Sequence, residues 1–154
     1  MVEEHLNLFV EKLATELGLQ RPESDAMGHY EIRFDFRLAV QFMRLNERTA
    51  LFRSVLHEFG QTPSPDRDEI SRALLEFALP RCLETPSVLA FDDDSDCLTL
   101  YQYVDFEKTE FDSLVNRLEA FINEVDLWRQ FLSTRISPPS SSRPGGSDRF
   151  VVNP

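Results

Sequence analysis

From Tyr30 to Phe42 every even position is apolar: Tyr30, Ile32, Phe34, Phe36, Leu38, Val40 and Phe42. The odd positions begin polar, with Glu31, Arg33, Asp35, Arg37 and, after Ala39, Gln41; they end apolar at Met43 and Leu45. A period of two sends alternate side chains to opposite faces of a β-sheet. The pattern predicts a strand near 29–35, a tight reversal around Asp35–Arg37 and a strand near 38–45. Asn46-Glu47-Arg48-Thr49 makes a polar turn, and a third strand follows near 50–59. Helix competes over that last segment, because Leu51, Val55 and Phe59 also repeat at four. The middle and last strands are apolar on both faces, and the chain's own helices cover one face of such a sheet.

Elsewhere the period is helical. Leu6, Phe9, Val10, Leu13 and Leu17 form one stripe over 2–18, with Glu3 and Glu4 at the favourable end of the helix dipole and Gly18 as the stop. A loop over 20–28 leads into the first strand. Ser64 as cap, Pro65 at the first helical position and Asp66, Asp68 and Glu69 in the first turn announce a second helix. It is expected to run to about Leu79, with Ile70, Ala73, Leu74 and Phe77 inward and Pro80 near its end. Ser87 to Phe91 reads as a short strand, Asp92 to Asp96 as a turn and Cys97 to Val104 as the hairpin partner. Thr109 is expected to cap a last helix to about Leu132, striped by Phe111, Leu114, Val115, Leu118, Phe121, Ile122, Val125 and Trp128. The fold class is α+β: helix, three-stranded antiparallel meander, helix, β-hairpin, helix, with a five-stranded sheet packed by helices. One domain is expected over 1–136. A flexible tail, rich in Ser, Pro and Gly, follows over 137–154, with the apolar patch Phe150-Val151-Val152 near its end.

Composition narrows the function. At 154 residues with 42% hydrophobic content and 13 Phe, the chain can bury a real core. Its formal net charge is −11 with no Lys/Arg run, which argues against phosphate-backbone binding and anionic membrane surfaces. No long apolar segment and no signal-peptide pattern occurs. Two cysteines, Cys82 and Cys97, make no disulfide framework and point to a reducing cytoplasm.

Candidate chemistry is thin. Asp92, Asp94 and Asp96 match the first three ligand positions of an EF-hand loop, but Cys97 stands where that loop needs glycine and Tyr103 where it needs the bidentate glutamate. A solvated hairpin turn is the expected reading. His5, His29 and His57 share no metal-binding spacing, the cysteines form no paired motif, and the five glycines build neither a phosphate-cradling loop nor a nucleophile elbow. These residues describe a binding protein, with no enzyme activity and no cofactor expected.

The element order and its residues resemble the class I type III secretion chaperones, the Tir-chaperone family. The stretches that carry the likeness are His5-Leu6-Asn7-Leu8-Phe9-Val10-Glu11-Lys12-Leu13, Ile32-Arg33-Phe34-Asp35, Leu38-Ala39-Val40-Gln41-Phe42 and Phe59-Gly60-Gln61-Thr62-Pro63. Ala73-Leu74-Leu75-Glu76, Cys97-Leu98-Thr99-Leu100-Tyr101, and Phe121-Ile122 with Trp128 complete it over residues 2–132. The resemblance implies a bacterial cytoplasmic homodimer, without metal or nucleotide, that holds an N-terminal segment of a secreted effector in extended form and presents it to the secretion apparatus. It puts the dimer interface on the middle helix and fourth strand, hence Phe77, Val88, Leu89 and Phe91. Effector-binding patches fall on the sheet and first helix, where Phe9 lies. The residue pattern itself offers Met43 and Leu45, opposite Phe42, with Leu51 and Arg53 on the next strand, as the exposed client side, the alternative being a second small core under the tail or middle helix. Two features depart from the family pattern: Arg81-Cys82-Leu83-Glu84-Thr85-Pro86 stands where members often carry Asn and Gly, and the Ser/Pro/Gly tail is not a family hallmark. A regulatory protein on the same fold, controlling secretion or transcription through a protein partner, is the second reading; a small enzyme using Asp92–Asp96 with a metal is the third.

Overall fold

The computed structural model describes residues 2–60 and 64–135. Its elements are α1 (Val2–Glu16), β1 (Tyr30–Arg33), β2 (Ala39–Arg44), β3 (Thr49–Glu58), α2 (Ser64–Glu84), β4 (Ser87–Asp92), β5 (Cys97–Asp105) and α3 (Phe111–Ser133). The strands form one antiparallel sheet in the order β1-β2-β3-β5-β4, so β1 and β4 are its edges.

The meander is the one expected, and the ambiguous third segment is a strand. Its alternation wins because Phe52 and Leu56 enter the core from one face while Arg53 and Val55 occupy the other. The first reversal is closed by Asp35, whose Oδ1 accepts the backbone N–H groups of Arg37 at 2.6 Å and Leu38 at 2.7 Å. These two donors, Arg37 first, hold the Asp35 carboxyl below the usual carboxylate range. Asn46 makes the same kind of turn between β2 and β3, accepting from Arg48 and Thr49.

α1 and α3 lie on the even-numbered face. Phe9 packs against Phe42, Phe52 and Phe106, and Phe52 against Phe121, so aromatic rings join both helices to the centre of the sheet. α1 ends where Gly18 adopts a φ of 66°, as its sequence predicts.

Two boundaries differ from expectation. α2 does not stop near Leu79: it runs through Pro80 to Glu84. A proline inside a helix removes one backbone bond, and here side chains fasten the extra turn. Arg81 forms a bidentate pair with Glu124 of α3, which is 5% exposed and also accepts from Trp128 Nε1 at 3.0 Å. The hydrogen bond to Glu124 holds the Arg81 guanidinium above its ordinary pKa. Nor does Thr109 cap α3. Glu110 is the cap residue, without a side-chain cap bond, while Thr109 Oγ1 donates to Asp105 O at 2.6 Å and closes the turn leaving β5. The second helix starts at Ser64 as expected, though the side chains of its proposed cap lie outside the described residues, as does the tail over 137–154.

Candidate binding faces on the sheet and the second helix

Among the described residues α1 and α3 lie on the even face and the odd positions form an open one. Register aligns them into rows across the strands. Met43 stands opposite Leu51, which stands opposite Tyr103. The next row is Gln41, Arg53, Tyr101 and Val88. In the apolar row Leu51 is only 7% exposed, being flanked on both sides, whereas Met43 is half-buried and Tyr103 exposed. Leu45 follows β2 on the same parity and is exposed.

Arg53 is the centre of the polar row. It donates to Gln41 Oε1 at 2.6 Å, Asp92 Oδ2 at 3.1 Å and Tyr101 Oη at 3.2 Å, bracing four strands. The guanidinium expected to face a client therefore already has a carboxylate, an amide and a phenol. Register brings these partners together, and no spacing along the chain announces them.

The remaining candidate, Phe9, is a core residue at 3% exposure, yet it also floors a shallow recess of about 220 Å³ beside α1. His5, Leu8, Lys12, Phe106 and Phe111 complete most of its wall. Leu8 on the rim is exposed, one residue from the position the periodicity favours.

At the other edge the four interface candidates separate. Val88 and Phe91 on β4 are about half exposed. Leu89 packs against the core, and Phe77 stacks on Phe131 with ring centroids 4.3 Å apart and meets Trp128 edge-on, so both serve the chain's own interior. What the sequence reading missed is a second stripe on α2: Leu75, Leu79 and Leu83 repeat at four, and all are exposed, Leu79 at 71% and Leu83 at 84%. The inward stripe Ile70, Ala73, Leu74 and Phe77 accounts for the helix, and ending it near Leu79 leaves Leu83 outside the pattern.

The acidic turn is closed by arginines. Asp92 pairs with Arg53, and Asp96 with Arg67 at 2.6 Å, while Arg67 also donates to Phe59 O at 2.8 Å. Ser95, followed by backbone donors and Arg53, holds the Asp92 carboxyl below its ordinary range. Two of the three aspartates that mimic a calcium loop thus face a guanidinium. Among the described residues no cluster of three His, Cys, Asp or Glu side chains is arranged to hold a metal, and no helix is long and apolar enough to cross a membrane.

The model of the Tir chaperone protein (CesT) family matches residues 9–129, from α1 into α3 and across the whole sheet. The chain belongs to this family. Similar solved structures include the ExsC–ExsE complex, with a TM-score of 0.67, 18% identity and coverage of 82% of this chain and 92% of that one. The HopA1–SchA chaperone–effector complex gives 0.66, 19%, 84% and 97%. The Yersinia pestis type III secretion chaperone SycH, in complex with a stable fragment of YscM2, gives 0.55, 20%, 80% and 98%. At these identities the likeness is one of fold. No curated protein matches the sequence. Tir chaperone family membership makes the open sheet face and the exposed α2–β4 edge surfaces to be explained by protein binding, and it agrees with the α+β order read from the pattern.

Proposed function

We propose that this Tir chaperone family member binds an N-terminal segment of one or more type III secreted effectors in the cytoplasm. It holds the segment in extended form, competent for export, and it works as a homodimer without enzymatic activity, metal or nucleotide. The observation that carries the reading is the apolar row on the open face, Met43–Leu51–Tyr103 with Leu45 beside it. Apolar side chains in register on an uncovered sheet face suit the alternate side chains of an extended segment. Methionine adapts its shape at little cost, which suits a surface that takes more than one sequence. The recess floored by Phe9 adds a second apolar contact on α1.

The second surface suits a second copy of the chain. Leu75, Leu79 and Leu83 on α2 and Val88 and Phe91 on β4 are exposed apolar side chains, and β4 is an edge of the sheet. Burying each leucine recovers roughly 2 kcal/mol, and covering β4 removes an edge that otherwise invites aggregation. Leu89 and Phe77 support this interface from beneath.

Replacing Met43 and Leu45 together by Glu tests the reading. The melting temperature is expected to stay nearly unchanged, since substitutions at such sites cost about 1 kcal/mol or less, while capture of the secreted partner is lost. Unfolding of the variant would assign these side chains to the core, and a folded variant that still captures its client would move the site elsewhere.

A further inference from the structure

We infer that a cationic recess at the end of the open face takes a carboxylate-rich stretch of the bound polypeptide. The β2–β3 ladder stops at the pair Gln41 and Arg53, and a bulge follows on β3 between Val55 and His57. A cavity of about 650 Å³ opens there. It is lined by four arginines, Arg33, Arg37, Arg53 and Arg129, against two glutamates, Glu31 and Glu58. In a chain of net charge −11 the lining itself carries more arginines than glutamates, although Asp92 closes on Arg53 and Asp35 acts on Arg37 and Arg129 from beyond ion-pair distance.

The arginines are not equally engaged. Arg33 pairs with Glu31, and Arg53 with Asp92. Arg129 reaches from α3 to donate to two backbone carbonyls, Arg37 O at 2.6 Å and Val55 O at 2.8 Å, and burial lowers its pKa. Arg37 lies over the ring of Phe36, with 4.8 Å between the guanidinium and the ring centroid. Among the described residues neither Arg37 nor Arg129 has a carboxylate within ion-pair distance. The partly buried Arg129 guanidinium, bonded to neutral carbonyls, gains from an incoming carboxylate, as does the exposed Arg37 beside it, and a forked donor suits that shape. Phe36, 86% exposed and lying under the Arg37 guanidinium, adds an apolar contact beside the charge. The acidic remainder of the surface repels such a segment, so the recess fixes where along the sheet it sits.

The inference rests on the chaperone reading in taking polypeptide as the ligand. Its test uses a synthetic probe, so it can fail while client capture at Met43 and Leu45 stands. A fluorescein-labelled peptide of alternating Glu and Gly is titrated with the full chain, beside the same peptide with Gln for Glu and a labelled single-stranded oligonucleotide. The acidic peptide is expected to bind saturably, to weaken on added salt, and to lose at least about tenfold in affinity when Gln replaces Glu. Arg33→Ala with Arg37→Ala is expected to cause a similar loss at unchanged melting temperature. Arg37→Ala alone serves if the double variant misfolds, and Arg48→Ala, on the β2–β3 turn, is expected to bind as the unmodified chain does. No saturable binding, equal affinity for the Gln peptide, undiminished binding by the arginine variants, or tighter binding of the oligonucleotide through the same arginines would overturn the inference.

Discussion

Glu124 is the residue whose environment demands most of its neighbours. A carboxylate at 5% exposure needs its partners, and it has the Arg81 guanidinium and the Trp128 indole N–H. Arg81→Met would strand that charge and is expected to cost roughly 3 kcal/mol in urea unfolding, the low end for breaking a buried pair because Arg81 retains some solvent contact. Adding Glu124→Gln should recover part of the loss, and strict additivity of the two would contradict the coupling. His57 makes a separate prediction. Burial lowers its pKa below the ordinary 6.5, against the opposing pull of Glu58. The unfolded chain therefore takes up the proton first as pH falls, and stability should decline below about pH 6.5. His57→Gln should flatten the stability profile below about pH 6.5. Asp35, with its lowered pKa, acts in a different window, losing its contribution only as pH falls below its ordinary 3.8.

Elements were legible where one period dominated. The alternation from Tyr30 to Phe42 located β1 and β2 within two residues, and the stripe from Phe111 to Trp128 located α3. α2 was misjudged at its end because Pro80 is a strong local stop signal, whereas the Arg81–Glu124 pair that holds the added turn joins residues 43 apart in sequence. Arg53 was recognised as a candidate, but its brace across four strands depends on register among β2, β3, β4 and β5. The leucines at 75, 79 and 83 did carry a signal, a spacing of four on a helix whose inward face was already complete. They set the prediction for this scale. Leu79→Glu with Leu83→Glu should convert a dimer to a folded monomer by light scattering, since neither side chain supports the chain's own core. A monomeric unmodified chain, or a variant still dimeric, would remove α2 from the interface. Leu89→Asp is a poorer probe, because Leu89 packs against the interior and its loss would mix unfolding with dissociation.

At the scale of the molecule, one layer of helices leaves an antiparallel sheet whose other face is uncovered among the described residues, and the sequence keeps part of that face apolar. The five-stranded sheet and the helices α1 and α3 share one packed core, the strand edges and α2 offer places for further chains, and net charge opposes indiscriminate association. Such a molecule is suited to hold another polypeptide without letting it fold. The direct test is limited proteolysis of the complex formed with a secreted protein that the chain captures, followed by mass spectrometry of what survives and circular dichroism of that fragment in isolation. The prediction is an N-terminal fragment of the secreted protein that resists protease only while bound and shows no globular signature when free. A partner captured fully folded, or a surviving fragment from elsewhere in its sequence, would contradict the account.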